Sequence, residues 1–167
     1  RGGNPMCGIP YHASKIYIAR LLRMGKKIAI CEQTTQSTPG KGLAERKVVE
    51  VITPGTPLEE EYLEQGVHNF LSCLSIVYLK KASFASFAFI DISTGEFGAT
   101  SWKLDETKDA FAKELGRILP KELVLDEEAL KNPDVKLVLD SFSSISRSVY
   151  PSWHFAIDLS YKRLLHQ

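Results

Sequence analysis

Residues 70–102 read FLSCLSIVYLKKASFASFAFIDISTGEFGATSW. Three runs rich in β-branched and aromatic residues, at 70–79, 84–92 and 96–102, are separated by short polar breaks, the pattern of consecutive strands. Ser93-Thr94-Gly95 fits a tight hairpin between the second and third runs. The middle run is apolar almost throughout, which predicts a strand buried on both faces.

Downstream the apolar period changes. Asp105 is placed to cap a helix, because a carboxylate accepts from the unpaired N–H groups of a first turn. Phe111, Leu115, Ile118 and Leu119 follow the helical period, and Pro120 stops it. Residues 122–125 read as a strand, and 136–139 and 146–149 as weaker strand candidates. Asp158 starts a last helix, with Trp153 and Phe155 expected to fill core space beneath it. Three strands, a helix and a further strand predict a mixed α/β sheet flanked by helices, which resembles the opening of a ribonuclease-H-like fold.

Upstream, residues 1–10 are irregular and 13–24 form a helix, with Tyr17, Ile18, Leu21, Leu22 and Met24 on one side. Lys15, Arg20 and Arg23 lie on the other side, and Lys26 and Lys27 continue it. Gly25 suits the left-handed position that ends a helix. A short buried strand at 27–31, a polar loop at 34–42 and a strand at 47–52 follow. Cys31, inside the apolar run, is expected to be a small buried hydrophobe. The turn-rich Thr53-Pro54-Gly55-Thr56-Pro57 and the glutamates after it divide the chain into a unit at 1–56, a linker at 57–65 and a unit at 66–167. The first unit thus combines one helix with two strands in a mixed α/β arrangement.

The 167 residues are 44% apolar and 25% charged, which excludes wholesale disorder. No apolar run approaches the roughly 20 residues a membrane helix needs, so no membrane partner is expected. The net charge of +1 conceals an asymmetry. Residues 1–56 hold nine Lys or Arg against three Glu, a balance of +6, and the remainder balances at −5. Such a split points to two units with different partners. Three scattered cysteines fit neither a disulfide framework nor a zinc site and suit a reducing cytosol. A start without methionine, and an end inside a helical pattern, are what a fragment of a longer protein would show.

Catalytic signatures are sparse. Gly40-Lys41-Gly42 fails the phosphate-loop pattern, no G-x-G-x-x-G occurs, and no catalytic or metal-ligating set is expected. A ribonuclease-H-like metal-dependent nuclease is the alternative reading, and it needs several carboxylates converging on two ions. Asp91 stands late in an apolar strand, while Asp126, Glu127 and Glu128 read as a surface acidic cluster. The competing reading has Asp91 bonding the backbone of the turn that follows it. The basic helix face and the loop carrying Lys41, Arg46 and Lys47 are the candidates for phosphate contact.

Five motifs then occur in order: Pro5-Met6-Cys7-Gly8-Ile9-Pro10-Tyr11-His12, Ile28-Ala29-Ile30-Cys31-Glu32-Gln33, residues 41–49 with Lys41-Gly42 and Arg46, Thr53-Pro54-Gly55-Thr56, and Asp91-Ile92-Ser93-Thr94-Gly95-Glu96-Phe97. Together they resemble the MutS family of DNA mismatch-repair proteins. Trp153, Phe155, Ile157 and Asp158 follow its W-x-F-x-I-D pattern more loosely.

The resemblance implies that 1–56 is the C-terminal part of the mismatch-recognition domain and 66–167 most of the connector, with its ribonuclease-H-like sheet. It implies partners: double-stranded DNA containing mismatches, MutL, and a second copy in the full-length homodimer. The bacterial cytosol, near the nucleoid, is the implied location. In the family a Phe-x-Glu wedge enters the minor groove at a mismatch, where unstacking costs least. This chain contains no Phe-x-Glu. ATP and magnesium belong to the family's ATPase domain, so no cofactor and no enzymatic activity are expected here. Lys41 and Arg46 match positions facing DNA, and Arg1 falls in a stretch near it. Tyr11 and His12 are expected to hold the fold. The connector relays between the DNA-binding and ATPase regions, and Lys162 and Arg163 on the last helix are the expected partner contacts.

Overall fold

The computed structural model describes residues 7–34, 44–57, 59–64, 66–80 and 82–166. Helix α1 (Ser14–Arg23) leads into a hairpin of β1 (Ile28–Gln33) and β2 (Arg46–Ile52). Strands β3 (Phe70–Tyr78), β4 (Ser83–Asp91) and β5 (Phe97–Lys103) follow. Then come α2 (Thr107–Ile118), β6 (Glu122–Asp126), α3 (Pro133–Ser141), β7 (Ser146–Tyr150) and α4 (Ile157–Leu165). The larger sheet has the order β5-β4-β3-β6-β7. Strands β3, β4 and β5 run antiparallel, and β6 and β7 join parallel to β3. The expected mixed sheet is therefore present.

Its core lies on one face. Leu74, Phe87, Phe111, Leu115, Leu123, Leu125 and Val135 are all fully enclosed. Phe87 meets Phe111 edge-on at 6.1 Å between ring centroids. Only one side of β4 is covered, contrary to the expectation of burial on both. Ala85, Phe87, Phe89 and Asp91 point inward, whereas Ser86 and Ile90 are exposed. The period is two, because α2 and α3 pack on a single face and serines and alanines alternate with the aromatics.

Three further expectations change. Residues 136–139 are helical, not a strand. Asn132 caps α3, its side-chain oxygen accepting from Asp134 N and Val135 N, and Pro133 opens the first turn. Val135, Val138 and Leu139 then fall together on the buried side. Asp105 is not a cap; it lies inside a 3-10 turn, Leu104–Glu106, and makes no capping hydrogen bond. The buried Thr107 instead takes the indole N–H of Trp102 on its hydroxyl at 3.2 Å. Trp153 is 58% exposed and stacks on His154 rather than filling the core, since no residue of α4 is buried.

A second, smaller core joins Ile18, Ala19, Leu22, Ile52 and Tyr62. Tyr62 comes from the stretch read as a linker, which folds back onto α1 as a 3-10 turn, Glu60–Tyr62. Helix α1 ends in a Schellman arrangement: Gly25 has φ 72°, Gly25 N donates to Leu22 O, and Lys26 N donates to Leu21 O. That reversal aims Lys27 back toward the larger sheet.

Candidate nucleic-acid interface

The hairpin pairs Ile28 with Ile52 at its base and Gln33 with Arg46 at its far end. A register shift between Ile30 and Cys31 leaves Val49 as an extra residue on β2. Beyond the last pair, Thr34 N donates to Glu45 O at 2.9 Å. Both strands are open to solvent: Val48, Val49 and Val51 are more than half exposed, and Cys31, expected to be buried, is exposed as well. A two-stranded sheet has too few neighbours to cover both its faces.

Arg46 and Lys47 are exposed on β2, and neither forms an ion pair among the described residues. Lys41 and Arg1 lie outside the described residues. The basic face of α1 behaves differently from its expected role. Lys15 bridges Glu59 at 2.7 Å and Glu61 at 3.1 Å, and those carboxylates hold its ammonium above the usual lysine range. Arg23 approaches Glu64 at 3.5 Å, and Arg20 lies over the ring of Tyr17. Much of this face therefore docks the acidic stretch that follows the hairpin. Sequence alone could not pair these charges, since Lys15 and Glu61 stand 46 positions apart.

The carboxylates of the larger sheet do not converge. Asp91 is aligned with Phe70 at one end of β3, and Asp126 follows Leu125, which is aligned with Leu74. About five residues, roughly 17 Å of strand, separate the two levels. Asp91 is fully buried and accepts from Ser93 N, Ser93 Oγ, Asn69 N and His68 Nδ1 at 2.6–3.1 Å. Burial pushes its pKa up, but the hydrogen bonds from Ser93, His68 and Asn69 outweigh that and bring it to about 2. The reading of Asp91 as a partner of the following turn is thus the one the geometry supports. Asp126, read as part of a surface cluster, is buried and accepts from Ser75, Ser152 and Glu128 N. It faces hydroxyls rather than a second carboxylate. Among the described residues no group of three His, Cys, Asp or Glu could hold a metal ion, so the nuclease alternative has no site.

Glu122, which the sequence did not single out, and Lys27, read there as part of the basic helix face, occupy the seam between hairpin and sheet. Glu122, the first residue of β6, is buried and accepts from Gly55 N at 3.1 Å and from Ser148 Oγ. Lys27 Nζ donates to Ser148 Oγ at 2.6 Å and Arg147 O at 2.9 Å, with Glu122 Oε1 at 3.9 Å. The Thr-Pro-Gly-Thr turn explains its own glycine here: a Cβ on Gly55 would stand 2.8 Å from both Glu122 Cβ and Leu71 Cδ1. That motif was the available signal, but it did not reveal the partner. At the opposite end of the chain, Lys162 and Arg163 are exposed on α4, as are Ile157, Tyr161 and Leu164. Among the described residues no helix is long and apolar enough to cross a membrane.

Residues 1–61 match the family model described as MutS domain I, and residues 69–167 that of MutS domain II. Curated relatives agree. The chain is 50% identical over 98% of its length to the DNA mismatch repair protein MutS of Treponema denticola. It is 39% identical over 99% of its length to that of Treponema pallidum and 37% over 98% to that of Symbiobacterium thermophilum. It spans 18–19% of the length of these relatives.

Proposed function

The chain belongs to the MutS family, spanning its domains I and II, and on that premise we propose that it supports binding to mismatched double-stranded DNA and relays between that DNA and the family's ATPase regions. The observation carrying this reading is the contrast between cations. Those of α1 are largely taken up by Glu59, Glu61 and Glu64, whereas Arg46 and Lys47 stand exposed on the hairpin. Arg46, with Lys41 and Arg1, is assigned to phosphate contact, which positions a protein without reading sequence. The division at 57–65 separates this DNA-facing part from the connector. Lys162 and Arg163 are assigned to a partner surface for MutL, because both stand exposed on α4, none of whose residues is buried. No catalytic step is assigned to this chain.

Fluorescence anisotropy with a labelled duplex tests the reading. Affinity should fall steeply with salt, and Arg46→Glu should weaken binding and reduce the salt slope by about one, the share of a single phosphate contact. Matched and mismatched duplexes should bind alike, since the chain contains no Phe-x-Glu. Binding indifferent to Arg46 and Lys41 would overturn it.

A further inference from the structure

The buried carboxylate of Glu122 grips both legs of the hairpin at once. Lys27 immediately precedes β1, and Gly55 lies three residues after β2 ends at Ile52. Gly55 N reaches Glu122 Oε2, while Lys27 reaches the other oxygen's partner, Ser148. Ser148 belongs to β7 and Glu122 to β6, so the two parallel strands at one side of the sheet meet both legs at one point. Asn69 Nδ2 adds a bond to Pro54 O at 3.1 Å, just before β3.

We propose that Glu122 is the positioning residue that sets the orientation of the hairpin on the connector sheet, so that a shift of β6 and β7 is carried to the hairpin's far end. The leverage follows from length. Five residues separate Ile28 from Gln33, about 17 Å, so a swing of about 10° at the base moves the far end by roughly 3 Å. A buried acceptor is suited to this work, since leaving its partners' N–H and O–H groups unmatched is costly and holds the joint in one geometry. That the hairpin's far end is what must be placed rests on the DNA-contact reading above; that Glu122 places it does not.

The test measures a distance. Cys31 is exposed on β1 and takes a spin label, with a second label on α2 introduced as Lys113→Cys in a Cys7→Ser background. Cys73, half-buried on β3, is replaced by alanine in the same background so that it takes no label. Electron–electron resonance on the intact chain should give one narrow distance distribution. Glu122→Ala should broaden or shift it, and Glu122→Gln, which still accepts from Gly55 N, should restore it. Distributions for Glu122→Ala that superimpose on the parent would overturn the proposal. Should Glu122→Ala fail to fold by circular dichroism, Lys27→Met decides: broadening supports the joint, and an unchanged distribution overturns it. Duplex binding by Arg46→Glu reports separately on DNA contact, so failure of either reading is distinguishable from failure of the other.

Discussion

Replacing Asp91 with asparagine should cost stability at neutral pH and almost nothing in strong acid. The carboxylate is fully enclosed and accepts four hydrogen bonds, two from Ser93 in the adjoining turn and two from His68 and Asn69 just before β3. Its pKa lies at about 2 against an ordinary 3.8. A carboxylate depressed on folding contributes stability that is complete above its unfolded pKa and lost as pH falls through the folded one. The window is therefore pH 4 down to 2. At about 1.4 kcal/mol per pKa unit, the contribution is about 2 kcal/mol at pH 7, about 1 at pH 3 and well under 1 at pH 2. Asparagine removes the charge and turns one acceptor into a donor facing donors. Urea unfolding of the parent and Asp91→Asn, at pH 7, 4, 3 and 2, isolates the effect, because other titrating groups act on both proteins alike. A difference that stays constant between pH 4 and 2 would show that the hydrogen bonds do not stabilise the ionised form, and the argument would fail.

Three other substitutions probe separate contacts. Gly55→Ala should destabilise by roughly 1–3 kcal/mol in chemical denaturation, since the new methyl meets Glu122 and Leu71 at 2.8 Å; a neutral result would mean the turn does not pack as closely as described. Asn132→Ala should cost about 1 kcal/mol by thermal unfolding through loss of the α3 cap. Phe111→Ala, which empties a fully enclosed position between β4 and α3, should cost about 3–5 kcal/mol in the same assay.

Most elements of the fold were legible because local rules wrote them. The β-branched and aromatic runs along 70–102 marked three strands, Gly25 the end of α1, and Pro120 the end of α2. The strand expected at 136–139 failed because so short an apolar run does not tell strand from helix, while the helix is decided four residues earlier by Asn132 and Pro133. The burial of β4 failed for a different reason. Apolar content says how much surface wants cover, but which side is covered depends on where α2 and α3 land. Cys31 and Trp153 show the same limit: both are apolar in character and exposed in place.

The sequence by itself determined the family, through ordered motifs, and the charge asymmetry between the two units, because both are properties of residue identity and spacing. Only the tertiary structure decided which charges are spent. Lys15 and Arg23 look as free as Arg46 in one dimension, yet they meet glutamates from the stretch beyond the hairpin. Glu122 looks like any strand-end carboxylate, yet it accepts from Gly55, 67 positions away, and lies beside Lys27. Coulomb attraction and desolvation act over a few ångströms of space, and chain distance carries no record of them until the fold brings the groups together.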